Sequence, residues 1–295
     1  MSRPPAPEPL PLPVVDDHTH LDHVRAADRA EGDDGPPPDD VVAELIAAAT
    51  AVGVPRMVQI GCDLAAARWT VGAVQRHPAL LGGVSLHPTE ASNIVAAQGD
   101  PEAGAAALDD ALAEIEKLAT SPRIRVVGET GLDHYWVTDD AGRAAQEESF
   151  RRHIRLAKRL GAVLQIHDRD AHDDVLRVLE DEGAPERTVF HCFSGDAAMA
   201  RYCADRGWYL SFAGTLTFKN AEPLREALRA VPLDLVMVET DAPYLAPVPF
   251  RGRTNAGYLV PYTVRAMAEA TGQDLVRICA RLGDSADILY GPWGS

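Results

Sequence analysis

The sequence predicts an α/β protein built as a single (β/α)8 TIM barrel. Eight short apolar or β-branched runs alternate with longer segments of helical spacing, and successive runs start about 32 residues apart, the length of a βα unit. No linker-like stretch interrupts the alternation, and no dinucleotide-binding glycine pattern follows the first run. One barrel is therefore favoured over two domains, with a doubly wound open sheet as the alternative.

The eight runs have the composition of buried parallel strands. In chain order they are residues 13–17, 56–61, 80–86, 123–128, 162–167, 187–190, 208–212 and 233–239. The segments between them carry apolar residues at helical spacing, as at Phe150, Ile154, Ala157 and Leu160. Residues 255–290 are expected to supply the last helix and a helical tail.

Two segments fall outside this pattern. Residues 1–12 are rich in proline and predict an extended, solvated arm ahead of a barrel domain at 13–295. Residues 28–40 contain six acidic side chains and three consecutive prolines, which predicts a solvated acidic loop.

Composition excludes several classes of protein. With 295 residues, 46% of them hydrophobic, and only four cysteines, the chain is neither disordered nor built on disulfides. No apolar run approaches the ~18 residues of a membrane span, and prolines interrupt the N-terminus where a secretory signal would lie. We therefore expect a cytoplasmic protein without a membrane partner. The oligomeric state is not legible from the sequence.

Ionisable residues collect where the predicted strands end, which is where barrel enzymes place their active sites. His18 and His20 close the first strand on one face, with Cα atoms about 6.6 Å apart, so both imidazoles can bind one cation. Four further residues end other strands: Glu129, His167, His191 and Asp241. A single histidine or carboxylate at a strand end is usually structural, but six on one fold predict a metal site.

Six ligands exceed the needs of one catalytic zinc ion, so two divalent cations are expected. We assign His18, His20 and Asp241 to one ion and His167 and His191 to the other, with Glu129 shared. Asp241 can also act as the general base that takes a proton from the attacking water. Imidazole ligands favour zinc or manganese, whereas magnesium prefers oxygen ligands, and the identity of the metal stays open among the three.

The chain resembles the TatD family of metal-dependent hydrolases, usually described as deoxyribonucleases, from about residue 14 to residue 289. The resemblance rests on DDHTHLD (16–22), SLHP (85–88), VGETGLDHY (127–135), QIHDRDA (165–171), HCFSG (191–195), GTLTFKN (214–220) and ETDAPYLAPVPFRG (239–252). It implies metal ligands at the same six positions and hydrolysis of ester bonds in DNA. Glu129 stands where related barrels use a carboxylated lysine.

Four further side chains are candidates for contact with substrate. Three are cations after predicted strands, and together they suggest an anion-binding mouth: Arg169, Lys219 and Arg251. The fourth is His87, which ends the third strand. Each has a structural alternative, since a surface cation or a strand-end imidazole often has no ligand.

The leading functional prediction is a nuclease that cleaves DNA phosphodiester bonds, with DNA as its partner. The net charge of −16 argues against a protein that coats long DNA. It permits one that takes a chain end or a short single-stranded segment, because a phosphate close to divalent ions is attracted far more strongly than distant surface charges repel it. The alternatives are an ester or amide hydrolase, such as an aminoacyl-tRNA deacylase, and a metal-binding barrel without catalysis.

Overall fold

A computed structural model describes residues 4–23 and 35–293 of the chain. Eight strands follow one another in a sheet in sequence order, and each strand is followed by at least one α-helix. The strands are β1 (Val15–Thr19), β2 (Arg56–Gly61), β3 (Leu80–Val84), β4 (Ile124–Asp133), β5 (Val163–Arg169), β6 (Thr188–Phe190), β7 (Tyr209–Phe212) and β8 (Val236–Val238). This order confirms the predicted (β/α)8 fold class.

Within residues 4–23 and 35–293, ten α-helices accompany the strands. They are α1 (Asp39–Thr50), α2 (Leu64–Arg76), α3 (Pro88–Ala96), α4 (Pro101–Ala119), α5 (Asp140–Leu160), α6 (His172–Glu182), α7 (Ala197–Asp205), α8 (Glu222–Arg229), α9 (Val260–Thr271) and α10 (Leu275–Tyr290). Among the described residues, no helix combines the length and the apolar character that crossing a membrane requires.

The chain divides into two compact units. The first unit comprises Met1–Gln59, Arg76–Leu81 and Gly195–Ser295, and the second comprises Ile60–Gln75 and Gly82–Ser194. In the first unit β1 pairs in parallel with β2, and β7 pairs in parallel with β8. The residues of β8, Val236–Val238, are all apolar and buried, and α10 packs against β8.

The second unit contains the longest strand. β4 runs for 10 residues and pairs in parallel with β3 on one side and β5 on the other. Its last residues continue the pairing well past the apolar run, with Gly131 opposite His167 and Asp133 opposite Arg169. A Cβ atom on Gly131 would lie 2.0 Å from the His167 carbonyl oxygen, and its φ is +146°, so this close approach needs glycine.

The predicted N-terminal arm lies partly outside the described residues, and its described part differs from the prediction. Leu10 is buried, its backbone N–H donates to the Val52 carbonyl at 3.0 Å, and the Pro4 carbonyl accepts the Tyr258 hydroxyl at 2.9 Å. Residues 4–12 are therefore attached to the first unit by main-chain hydrogen bonds instead of being a solvated spacer.

The predicted acidic loop is also only partly described, since residues 28–34 lie outside the described ranges. Its last two acids, Asp39 and Asp40, are helical and form the first turn of α1, where the helix dipole favours negative charge. The loop thus ends at Pro38 and not at residue 40.

Candidate active site

The first cluster, defined as His18, His20 and Asp241, lies in the first unit. The side chains of these residues bring one ligand atom each to within 4.8 Å of the others. His18 Nε2 and His20 Nε2 are 3.1 Å apart, and His20 Nε2 lies 3.4 Å from Asp241 Oδ1. Alternation along β1 places both imidazoles on one face, as the sequence predicted.

The backbone positions Asp241 against β1. Its N–H donates to the His18 carbonyl at 2.9 Å, and the His20 N–H donates to the Ala242 carbonyl at 2.8 Å. Asp241 has φ +54°, a left-handed conformation that aspartate tolerates better than most residues and that recurs at functional sites. Two main-chain bonds therefore hold this carboxylate beside the His-x-His pair.

A second layer of buried polar groups supports the first cluster. Asp16 is fully buried and accepts hydrogen bonds from the Thr240 N–H at 2.8 Å and the Thr240 hydroxyl at 2.7 Å. Burial raises the pKa of Asp16 to about 8, although the Thr240 hydrogen bonds act in the opposite direction. The Tyr290 hydroxyl at the end of α10 donates to Asp17. Both contacts fix the ends of β1 and β8 from which the ligands project.

The second cluster, defined as Glu129, Asp133, His167 and His191, lies in the second unit. Glu129 Oε2 is 2.9 Å from His167 Nδ1 and 2.8 Å from His191 Nε2. Asp133 Oδ2 is 3.1 Å from His167 Nε2, so both ring nitrogens of His167 face carboxylates. Glu129, Asp133 and His191 are buried, and the Cys62 thiol donates to Glu129 Oε1 at 3.3 Å.

The carboxylates of the second cluster favour positive charge between them. Burial alone would lower the pKa of His167, but its hydrogen bonds to Asp133 and Glu129 outweigh burial and raise it. Burial opposes ionisation of Asp133 as well, yet the contact with His167 and the Trp136 N–H hold its pKa below the usual value. Two buried carboxylates that raise the pKa of an imidazole form a donor set that fits a divalent cation.

His87 lies beside the second cluster at the N-terminus of α3. Its Nδ1 accepts the Thr89 N–H at 3.2 Å, so in the neutral ring the proton is on Nε2, which lies 3.3 Å from His167 Nδ1. Burial, together with the His167 imidazole, lowers the pKa of His87 to about 3 and keeps it neutral. His87 Nε2 therefore faces the second cluster, and His87 also belongs to a group with Glu129 and His167 that could hold a metal ion.

Each unit thus contributes three of the six predicted ligands, and Asp133 lies beside those of the second unit. Sharing of Glu129 between two ions stays a prediction. Asp133 was missed, although alternation along β4 from Glu129 would have placed it on the same face. No such pattern indicated Asp16, because its role depends on Thr240, which is 224 residues away.

The predicted substrate contacts occupy different surroundings. Arg169 ends β5, with its guanidinium 4.1 Å from the ring centroid of Tyr135. In the first unit, Lys219 is exposed and follows Phe218, whose ring centroid lies 4.5 Å from the Arg251 guanidinium. On α5, the cations Arg151 and Arg155 both pair with Glu182. Contact of Arg169, Lys219, Arg251 or His87 with substrate stays a prediction.

Comparison with known proteins decides the family. The profile of the family described as TatD related DNase matches residues 15–291. The chain belongs to this family. It is 43% identical over 281 residues to the uncharacterized metal-dependent hydrolase TatD of Mycobacterium tuberculosis, covering 94% of this chain and 98% of that protein. It is 33% identical to the uncharacterized metal-dependent hydrolase YabD of Bacillus subtilis, covering 84% and 91% of the two chains.

Solved structures agree on the fold. The crystal structure of YJJV, a TatD homolog from Escherichia coli K12, matches with a TM-score of 0.79 at 22% identity, covering 95% of this chain and 98% of that one. The TatD resemblance and the barrel fold are both confirmed. The chain is a metal-dependent hydrolase of the TatD family.

Proposed function

We propose that this TatD-family hydrolase cleaves phosphodiester bonds of DNA, taking a chain end or a short single-stranded segment. The observation that carries the proposal is the pairing of imidazoles with carboxylates in both clusters, each at the carboxyl ends of its strands. A divalent cation bound by such donors polarises a phosphoryl oxygen and acidifies an attacking water. The description of the family as TatD related DNase supports the same substrate.

The two clusters would bind separate cations. His18 and His20 would hold one cation together with Asp241, and His167, His191 and Glu129 would hold another. Asp241 is partly exposed, unlike the fully buried Asp16, so its carboxylate can accept a proton from water and pass it to solvent. His87 Nε2, which lies 3.3 Å from His167 Nδ1, would donate a hydrogen bond to negative charge that develops on the substrate. Imidazole-rich donors favour zinc or manganese over magnesium.

The test is hydrolysis by protein that has been stripped of metal and reloaded in turn with zinc, manganese or magnesium. End-labelled single-stranded and duplex oligonucleotides and an aminoacyl-tRNA are assayed in parallel. We expect cleavage of single-stranded DNA, and Asp241→Asn should lower its rate by about a hundredfold or more, the effect of losing a general base. The matched control is Asp234→Asn, which removes an exposed carboxylate that pairs with Arg281 in the same unit.

Each outcome decides between the candidate functions. Cleavage of DNA that depends on Asp241 supports the proposal. Release of the amino acid from tRNA without cleavage of DNA would replace it with the ester-hydrolase alternative. Absence of turnover with every metal and substrate would indicate a barrel that binds metal without catalysis.

A further inference from the structure

An aromatic pair is exposed beside the second cluster. Tyr135 and Trp136 follow the end of β4 at Asp133, and their side chains are 51% and 65% exposed. Their rings meet edge to face, with centroids 4.9 Å apart. Burial of a large aromatic ring stabilises a fold, so rings that stay exposed at the carboxyl end of a barrel strand usually mark a binding surface.

Arg169 adds a cation to this pair. It ends β5 opposite Asp133, and its carbonyl accepts the His134 N–H at 2.9 Å, which ties it to the β4 end. Its guanidinium lies 4.1 Å from the Tyr135 centroid and 5.6 Å from the Trp136 centroid. Within residues 4–23 and 35–293, no carboxylate pairs with Arg169, whereas Arg151 and Arg177 each bind several. Its N–H donors are therefore available to an anion.

One carboxylate links this surface to the second cluster. Asp133 Oδ1 accepts the Trp136 N–H at 2.8 Å, and Asp133 Oδ2 lies 3.1 Å from His167 Nε2. Gln146 holds Asp133 in place, since its Oε1 accepts the Asp133 N–H at 3.0 Å. The turn that carries the aromatic rings is thus connected through Asp133 to His167, a predicted metal ligand.

We infer that Tyr135, Trp136 and Arg169 form a stacking platform for an unpaired base of a single-stranded DNA substrate. The exposed rings offer π-faces to a base of any identity, and Arg169 donates to the phosphate beside it. Bases inside a duplex are already stacked on their neighbours, so only an unpaired or terminal base can use the platform. The inference rests on the proposed function and deepens it, because it assigns the preference for single strands to these three residues.

The test measures binding separately from cleavage. The probe is a fluorescein-labelled, phosphorothioate-linked single strand, which resists hydrolysis, and binding to metal-loaded protein is followed by fluorescence anisotropy. A second probe has the same backbone with abasic sites in place of bases. We expect wild-type protein to bind the abasic strand about tenfold more weakly, the usual effect of losing one base stack.

Substitutions locate that effect. Trp136→Ala should weaken binding of the normal strand about tenfold and abolish the difference between the two probes, whereas Trp136→Phe should retain most of both. Arg169→Ala should weaken binding of both probes and reduce the salt dependence of binding. The matched control is Arg206→Ala: Arg206 also stacks between a tyrosine and a tryptophan, Tyr202 and Trp208, but Trp208 is buried and Arg206 precedes β7. Arg206→Ala should leave the binding of both probes unchanged.

The outcomes separate this inference from the proposed function. If Trp136→Ala binds and discriminates the two probes as the wild type does, the platform is wrong, even when the enzyme cleaves DNA. If the wild type shows Trp136-dependent discrimination but cleaves no DNA with any metal, the platform stands and the proposed nuclease activity fails. A rise in KM for single-stranded DNA in Trp136→Ala, reversed in Trp136→Phe, is the expected kinetic counterpart.

Discussion

In the first unit, the first cluster lies at the end of β1 and at Asp241, three positions after the last residue of β8. In the second unit, the second cluster lies at the ends of β4, β5 and β6. The first contains two imidazoles and one carboxylate, Asp241. The second contains two imidazoles and two buried carboxylates, Glu129 and Asp133. A divalent cation would leave the first cluster with a net positive charge and the second near neutrality.

This difference in charge suggests that the two clusters have different roles. A site that stays positive attracts an anionic phosphate and leaves its carboxylate available as a base. A site whose charge is balanced by two carboxylates holds its ion more firmly and attracts phosphate less. We expect the first cluster to govern the chemistry of the substrate and the second to govern metal retention.

Removal of metal should produce the largest effect. Titration with a chelator should abolish activity completely, and the ion of the first cluster should leave at the lower chelator concentration, because it has one carboxylate against two. Metal content by mass spectrometry and activity are measured at each step. Simultaneous loss of all metal, with activity falling in proportion, would remove the distinction between the clusters.

Loss of one imidazole from either cluster should have the second-largest effect on activity. His20→Ala and His191→Ala should each lower kcat/KM by about a thousandfold, several kcal/mol of transition-state stabilisation. Each should also lower the metal content, but His20→Ala protein should retain the tighter ion. The control is His77→Ala, which removes a histidine that contacts Asp39 outside both clusters. Equal metal content in the two variants and the wild type would show that neither histidine is a ligand.

Asp133 tests the charge argument directly. Asp133→Asn keeps the acceptor for the Trp136 N–H but removes the charge that faces His167. We expect metal affinity in the second cluster to fall about 10- to 100-fold, as for other groups that orient metal-ligating histidines. Competition with a metallochromic indicator measures the change. An unchanged affinity would show that the second cluster does not depend on its extra carboxylate.

Changes to the buried groups that support the clusters should have the smallest effect, and that effect is on the free energy of unfolding. The first cluster rests on the Asp16 carboxyl, whereas β4 of the second is supported by His153, a buried neutral imidazole of α5. Its Nδ1–H donates to the Ser149 carbonyl at 2.8 Å and its Nε2 accepts the Leu86 N–H at 3.3 Å. Burial, aided by the nearby Arg152 charge, lowers the pKa of His153 to about 4.

Protonation of His153 should therefore oppose folding. Between pH 6.5 and 4 the unfolded chain binds this proton and the folded chain does not, so stability falls as the pH is lowered through this window. From pH 7 to 5 the wild type should lose about 2 kcal/mol that His153→Gln does not lose. Urea unfolding at the two pH values measures the difference. Equal losses in both proteins would contradict a neutral buried His153.

The strands were predictable because burial on both faces leaves continuous apolar runs, and each of the eight predicted runs overlaps an observed strand. The residues at which the strands end were not predictable from these apolar runs. β4 extends to Asp133 and β5 to Arg169, because pairing of the two backbones continues after the apolar residues stop. Residues 233–235 form a 3₁₀ turn before β8. Leu160, predicted on the apolar stripe of α5, is exposed at the last position of that helix.

The sequence by itself determined the fold class and the family, and it predicted six metal ligands, because strand-end histidines and carboxylates appear as local motifs whose spacing follows the backbone. The tertiary structure added Asp133 to the second cluster, brought His87 beside His167, and left Tyr135 and Trp136 exposed beside Arg169. Alternation along β4 could have indicated Asp133, but the other two placements depend on strand register and burial, which no local pattern encodes.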